Sequence, residues 1–504
     1  MDSAPDPVPR PLDHLAERGD GRAPALVLRD RVLNHEDLRT RVGHLAAWLA
    51  DRAVTGDRVA SWAAKGEATC LLPLACARAG VVHVPINPLL KRMQVAHILA
   101  DSGASLLIAT RARLDSLEEG DVPASCAPVP EDELWSAVER CDALRPSQRD
   151  PEELAAILYT SGSTGRPKGV MLSHANMWLG AVSVSHYLGL AGDDVTLAVL
   201  PLSFDYGQNQ LLSTWYAGGA VVPLDYLLPR DVVRACARHE VTTLAAVPPL
   251  WVQLTEIDWP EEAVWSMRRL TNSGGALTEP LVGELRRRFP DARLFPMYGL
   301  TEAFRSTYLD PALVETHPTS MGQAIPFAEV MVIGDNGEIA PDGEEGELVH
   351  AGPLVAQGYW NDPERSAERF QPAPRASRYG GTAVWSGDRV RRDADGLLYF
   401  VGRRDAMIKS AGNRISPQEI EDAALATGLV AEAVAVGVPD AGLGQAIHLA
   451  VRGVDGFDPD IFRKRLFAAL PNFMHPRVIR AYAELPRNPN GKLDRTALAL
   501  ELAA

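Results

Sequence analysis

The segment Tyr159-Thr160-Ser161-Gly162-Ser163-Thr164-Gly165-Arg166-Pro167-Lys168-Gly169-Val170 decides how the rest of the chain reads. It holds three glycines, four Ser/Thr hydroxyls and two cations. The apolar run Leu154 to Leu158 leads in, and Val170-Met171-Leu172 leads out before Ser173-His174. That context predicts a strand, a glycine-rich loop and a second short strand. Glycine reaches backbone angles that other residues avoid, so such a loop can wrap N–H groups around phosphate oxygens. The hydroxyls add donors and Lys168 adds charge. A surface turn needs only one or two of these residues, so phosphate binding is the stronger reading.

Two familiar phosphate loops do not fit. A Walker A loop needs glycine five positions after the first, and counting from Gly162 that position is Pro167. The dinucleotide pattern G-x-G-x-x-G fails because Ser163 and Thr164 follow Gly162. A P-loop kinase or an NAD enzyme is therefore disfavoured. No G-x-S-x-G or H-E-x-x-H motif points to a protein nucleophile or a zinc protease.

The 504 residues suit two or three domains, and 46% hydrophobic residues suffice for globular burial. A net charge of −15 argues against wholesale binding of nucleic acid or a membrane surface. Cys70, Cys76, Cys126, Cys141 and Cys236 form no C-x-x-C pair. With no signal-like start and no bilayer-length apolar run, they predict a reduced, cytoplasmic protein without structural zinc.

Up to about Ala220, strand-like runs such as Ser105 to Ala109 alternate with amphipathic segments such as Leu71 to Ala79. Such alternation predicts layered α/β architecture with largely parallel sheets. From Gly322 to Tyr359, short strands between Gly, Pro and Asp turns predict an antiparallel sheet or a small barrel. Beyond Ile415, a helix near Glu419, strands at Ala431 to Val438 and Ala446 to Val451, and a helix at Phe462 to Leu470 form an α+β module. The expected division is a large domain over 1–402 and a small one over 403–504.

Five further stretches stand out: Asn272-Ser273-Gly274-Gly275, Met297-Tyr298-Gly299-Leu300-Thr301-Glu302, Ser386-Gly387-Asp388, Gly402 to Ile415, and Arg487-Asn488-Pro489-Asn490-Gly491-Lys492. Singly these read as a Gly-Gly turn, a helix start capped by Thr301, another turn, a charged hairpin and a solvated turn lysine. Together with the opening loop, and in this order, they resemble the adenylate-forming superfamily. That superfamily includes acyl-CoA synthetases, firefly-type luciferases and nonribosomal peptide adenylation domains. The resemblance covers nearly the whole chain. It implies ATP and Mg²⁺ as cofactors and activation of a carboxylate as acyl-AMP. The small domain would be mobile, and a phosphopantetheine thiol would take the acyl group.

Residue by residue, the resemblance implies that Thr160, Ser161, Gly162, Ser163, Thr164, Gly165 and Lys168 cradle phosphates. Gly274 and Gly275 would pack on adenine and Tyr298 would stack on it. Thr301 would donate to the α-phosphate, and Glu302 would hold Mg²⁺ by a hard oxygen. Asp388 would accept from both ribose hydroxyls, and Arg403 would contact ribose or phosphate. Lys492 would be the adenylation lysine, bridging the substrate carboxylate and the α-phosphate. Asp405 would be the hinge, and Gly412 would leave room for a pantetheine arm.

The acyl pocket is expected to begin at Phe204-Asp205-Tyr206, with Asn209, Ala246, Thr271, Ser273, Met297 and Ser306 behind. That set is polar and modest in size, unfit for a long fatty chain. A buried carboxylate needs a partner, so Asp205 predicts a cation. It is either a substrate ammonium or Arg305. The chain looks like stand-alone enzymes that activate proline or β-amino acids, and like acyl-CoA ligases associated with exopolysaccharide loci. The first likeness implies an amino, imino or β-amino acid loaded onto a separate acyl or peptidyl carrier protein. The second implies a small polar acid joined to coenzyme A. Arg286-Arg287-Arg288 and Arg463-Lys464-Arg465 either meet such an acceptor or are solvated helix faces.

Overall fold

The computed structural model describes residues 4–161, 167–403, 408–410, 413–440 and 443–503. Gly162, Ser163, Thr164, Gly165, Asp405 and Gly412 lie outside the described residues, as does the side chain of Ser161.

A large α/β domain carries two mainly parallel sheets. In the larger, the strands Arg293–Tyr298, Arg269–Asn272, Thr243–Ala246, Val195–Ala198 and Ala220–Pro223 lie side by side, all parallel. They are short and almost wholly buried, as sheets covered on both faces must be. The other sheet ends in the hairpin Leu154–Ser161 and Pro167–Ser173, whose antiparallel register pairs Ser161 with Pro167. The two predicted strands are thus present, paired as a hairpin. Ser173 then caps the helix His174–Leu188, its Oγ accepting from the Asn176 N–H at 3.1 Å.

The Gly322 to Tyr359 region joins an antiparallel sheet built from Glu329–Ile333, Glu345–Ala351, Thr382–Arg392, Phe370–Pro372 and Leu398–Arg403. Asp388 stands opposite Arg403 in its register. A small C-terminal domain follows. Strands Val430–Asp440 and Gly444–Gly453 pair antiparallel, and the helix Pro459–Ala469 buries Phe462 and Leu466 in a core of their own. Among the described residues no helix is long and apolar enough to cross a membrane.

The parallel strands end on one edge. Ala198 runs on to Phe204-Asp205, Asn272 to the Gly-Gly turn, and Tyr298 to Thr301-Glu302. Open α/β sheets gather ligands outside the carboxyl ends of their strands, and here the predicted site residues converge on that edge.

Candidate active site

A cleft of 1410 Å³ opens there, lined by residues from both domains, among them Thr160, Lys168, Asp205, Glu302, Asp388 and Lys492. The opening hairpin supplies one wall. Thr160 Oγ1 is buried with no hydrogen-bond partner among the described residues. Lys168 Nζ lies 3.1 Å from Glu302 Oε1 and donates to the Tyr359 hydroxyl at 2.7 Å. Tyr359 donates in turn to Glu302 at 2.6 Å. Burial pushes the Glu302 carboxyl up, but Lys168, the Tyr359 hydroxyl and Arg369 outweigh it and hold the carboxyl below its usual value. Burial pulls the Lys168 ammonium down, with Glu302 countering.

Tyr359 was not foreseen. It lies in a turn-rich stretch, and the bridge between Val170 and Tyr359, with backbone bonds from Met171 to Gly358 and from Trp360 to Gly169, brings it to the hairpin.

Tyr298, Asp388 and Arg403 also line the cleft. Tyr298 donates its hydroxyl to Asp388 Oδ2 at 2.5 Å, and Arg403 Nε sits 3.2 Å from Asp388 Oδ1. Burial beside that carboxylate drives the Tyr298 phenol well above its usual range. The tyrosine ring is therefore anchored at its far end.

Lys492 enters from the C-terminal domain. Asn488 accepts the Lys492 N–H at 3.0 Å and shapes the turn. Asn87 pins that turn to the large domain, donating to Pro489 O and Asn490 Oδ1, both at 3.0 Å. Gly274 has φ +83°, and a Cβ there would lie 2.6 Å from Lys492 Cε. The first glycine of the Gly-Gly turn thus admits the lysine stem, a role beyond the expected packing on adenine. Lys492 Nζ reaches 4.9 Å from the Phe204 ring centre. Burial lowers its pKa, Asp205 opposes that shift, and Arg305 and Arg403 add to it.

Asp205 opens the helix Asp205–Ala217 and is 4% exposed. Its Oδ1 accepts from Thr301 Oγ1 at 2.8 Å, and Oδ2 is 4.0 Å from Arg305 Nη2. Burial pushes its carboxyl up against the pull of Arg305, Thr301 and Lys492. One expectation changes here. Thr301 is not a helix cap, because Thr301–Ala303 is a single 3₁₀ turn that follows Leu300.

Arg305 is 1% exposed. It donates to Ser273 Oγ at 2.7 Å, and its guanidinium lies 4.6 Å from the Tyr206 ring centre. Phe304, at φ +58° and ψ −61°, forms a strained γ-turn closed by the Arg305 N–H on Ala303 O at 2.6 Å. Strain of this kind persists only where packing over-determines it. Here the Phe304 ring is seated against Gly180. Ser273 and Tyr206 contact Arg305, Met297 borders the same space, and Ala246 is buried at the end of its strand.

The arginine clusters are largely committed within the chain. Arg286 pairs with Glu315 at 2.5 Å, and Arg287 and Arg288 pair with Glu284. Arg465 donates to Thr427 O at 3.1 Å.

This arrangement has known counterparts. The AMP-binding enzyme family matches residues 12–360, and its C-terminal domain matches 419–492. Feruloyl-CoA synthase of Amycolatopsis is 33% identical over 92% of each chain. The L-proline–[L-prolyl-carrier protein] ligase of Pseudomonas fluorescens is 32% identical over 95% of this chain and 96% of its own. Bacitracin synthase 3 of Bacillus licheniformis is 29% identical, but this chain spans only 8% of its length. ATP-bound MatB of Rhodopseudomonas palustris superposes with a TM-score of 0.89 at 26% identity, covering 98% of this chain and 99% of its own. With matches across both domains and relatives of the same length, the chain belongs to the family of AMP-binding, adenylate-forming enzymes.

Proposed function

We propose that the protein activates a small amino, imino or β-amino acid as its acyl-AMP, then passes the acyl group to the phosphopantetheine thiol of a separate carrier protein. The supporting observation is Asp205: a buried carboxylate on the cleft wall beside Lys492, whose nearest ion pair among the described residues is Arg305 at 4.0 Å, beyond hydrogen-bond reach. A substrate ammonium there would complete it, because a buried charge stays costly until it is paired.

In the first half-reaction a substrate carboxylate oxygen attacks the α-phosphorus of ATP, a new O–P bond forms, and pyrophosphate leaves with the bonding pair. The nucleophile comes from the substrate, so the protein supplies position and charge. Lys492 would sit between carboxylate and α-phosphate, offsetting charge that grows in the transition state. Thr160, Lys168 and the loop after Ser161 would hold the departing phosphates, Tyr298 would meet the adenine face, and Asp388 with Arg403 would hold ribose. The donor set at Glu302 suits Mg²⁺, which takes one or two carboxylates plus phosphate oxygens rather than a protein cage; no group of three or more His, Cys, Asp or Glu is gathered among the described residues. Bound there, Mg²⁺ would offset phosphate charge. Thr301 acts by holding Asp205 in place.

In the second half-reaction a thiolate sulfur attacks the acyl carbon, a C–S bond forms, and AMP leaves with the C–O pair. The small domain would first turn about Asp405, withdrawing Lys492 and presenting Gly412. A cavity of 390 Å³ beside Pro489-Asn490-Gly491, with Ile86, Leu200 and Leu250 in its wall, offers the approach for a slender arm.

A second reading, an AMP-forming acyl-CoA synthetase for a small polar acid, is favoured by Arg305, which stands 4.0 Å from Asp205 and lessens its need for a substrate cation. Substrate-dependent ATP–pyrophosphate exchange across amino acids and their deamino counterparts separates the two. The amino-acid reading expects Asp205→Ala to lose exchange selectively with the amino members. An unchanged preference, or AMP release that needs coenzyme A and deamino acids alone, leaves the second reading standing.

A further inference from the structure

Glu432 is 5% exposed and lies on the small-domain strand Val430–Asp440. Each of its oxygens accepts from one arginine: Oε2 from Arg452 Nε at 2.7 Å, and Oε1 from Arg487 Nη2 at 2.9 Å. Arg452 is its cross-strand neighbour in the antiparallel register. Arg487 opens the turn that carries Lys492. It bridges to Leu493, and inside that bridge the Asn488 N–H donates to Lys492 O at 2.7 Å. Arg487 Nε and Nη1 have no partner among the described residues, so Glu432 holds that guanidinium by itself. Removing a partner from a buried pair leaves an uncompensated charge, so the three side chains stay together.

The far end of Arg452 reaches out of the small domain. Its Nη2 donates to Glu256 Oε1 at 2.9 Å, an ion pair between the two domains. Glu256 follows directly on the large-domain helix Pro248–Thr255. The helix dipole opposes an anion at this end, and the Glu256 side chain has no other hydrogen bond or ion pair among the described residues. What holds this carboxylate is therefore the small domain. The same helix places Pro249, Leu250 and Gln253 in the wall of the cavity that Pro489-Asn490-Gly491 borders. Charges of alternating sign thus run from the large domain to the lysine turn: Glu256, Arg452, Glu432, Arg487.

We propose that Glu256 is a positioning residue for Lys492: by receiving Arg452 it selects the orientation in which the small domain sets the lysine turn in the cleft. Arg452 and Arg487 grip one buried carboxylate, so the strand pair and the turn move as one body, and a contact made on Arg452 is felt at Arg487. Glu256 stands outside that body. Its side chain is 53% exposed, so water replaces the lost contact at little cost and the pair can open and re-form. A fully buried pair would be too costly to break in each turnover. The proposal rests on the two-step ligase reading above. It concerns the orientation the chain adopts and not the acid it takes.

Spin labels on Val54→Cys and Leu500→Cys, exposed positions in the large and small domains, read the orientation as a distance distribution. The full chain is used, in a Cys141→Ser background with Mg²⁺ and ATP. The ratio of docked to released populations should fall roughly two- to fivefold in Glu256→Gln, the range for one half-exposed pair. It should fall further in Glu256→Lys, which sets like charges together. ATP–pyrophosphate exchange over the acid panel above should drop in the same order, by no larger factor. Salt at about 1 M should erase the difference between Glu256→Gln and the unaltered enzyme, because an exposed pair is screened. In an Arg452→Met background, Glu256→Gln should move neither reading, a coupling that a merely structural role for Glu256 would not give. An unchanged ratio in both Glu256 variants overturns the proposal and leaves the two-orientation scheme standing. A single distance with and without nucleotide ends the scheme and the proposal together. Exchange with no acid removes the ligase reading, while the distance ratio still judges Glu256.

Discussion

At the scale of single residues, the site turns on charges held out of water. Lys492 is the clearest case. Its ammonium is buried between Phe204 and Gly274, and burial lowers its pKa. If it stabilises the adenylation transition state, Lys492→Ala should cut ATP–pyrophosphate exchange by roughly 10²- to 10³-fold, the cost of losing one preorganised donor. Thioester formation from supplied acyl-AMP should hold within about threefold on the same argument. Equal losses in the two half-reactions would end the two-orientation scheme. The lowered pKa sets a pH sign too. As pH rises, Lys492 loses its proton before an exposed lysine would, so exchange should decline on the alkaline side below the ordinary lysine range. The thioester half-reaction should lack that limb.

Among structural elements, the γ-turn at Phe304 does the placing. It aims Arg305 into the pocket, and its aromatic ring fills the space over Gly180, where an added Cβ would lie 2.2 Å from Phe304 Cε1. Helix propensity alone predicts that Gly180→Ala stabilises by up to about 1 kcal/mol. The contact predicts the reverse, a loss of about 1–3 kcal/mol from overpacking, read in a denaturant melt. Acid-dependent exchange should fall more than ATP affinity, because the turn carries Arg305 and not the nucleotide wall. This element also marks the limit of what the sequence discloses. Strands such as Leu154–Ser161 and helices such as Pro417–Ala426 follow from apolar periodicity and turn residues, and they lie where those patterns put them. A strained turn at a phenylalanine has no such pattern. It exists because a glycine 124 positions earlier leaves room for the ring.

For the molecule as a whole, the order of the motifs along the chain disclosed an adenylate-forming site, whereas the partners of each side chain were settled by distance. The Tyr359–Glu302 bond, the Asn87 clasp on the lysine turn and the Thr301–Asp205 bond join residues from 57 to 403 positions apart. No local reading supplies those contacts. The docked small domain carries a prediction of its own. Asn87→Cys with Asn490→Cys, joined by a short bismaleimide in a Cys141→Ser background, should hold Lys492 in the cleft. Cys70, Cys76, Cys126 and Cys236 are buried and should stay out of the reaction. Exchange should persist near its unlinked rate while thioester formation drops at least tenfold, a distinction expected if the two steps use two orientations. Thioester formation at the unlinked rate would mean that the docked orientation serves both steps.

If Lys168 receives the triphosphate and Glu302 the cation, their contact makes nucleotide and divalent cation thermodynamic partners. A triphosphate competing with Glu302 for the lysine would leave the carboxylate a buried anion in want of a counterion. Mg²⁺ would then supply that counterion, so each ligand should tighten the other by the same factor, as linkage demands. ATP affinity measured with and without Mg²⁺ reads the factor directly, and Glu302→Gln should shrink it toward one by removing the charge that ties the two together.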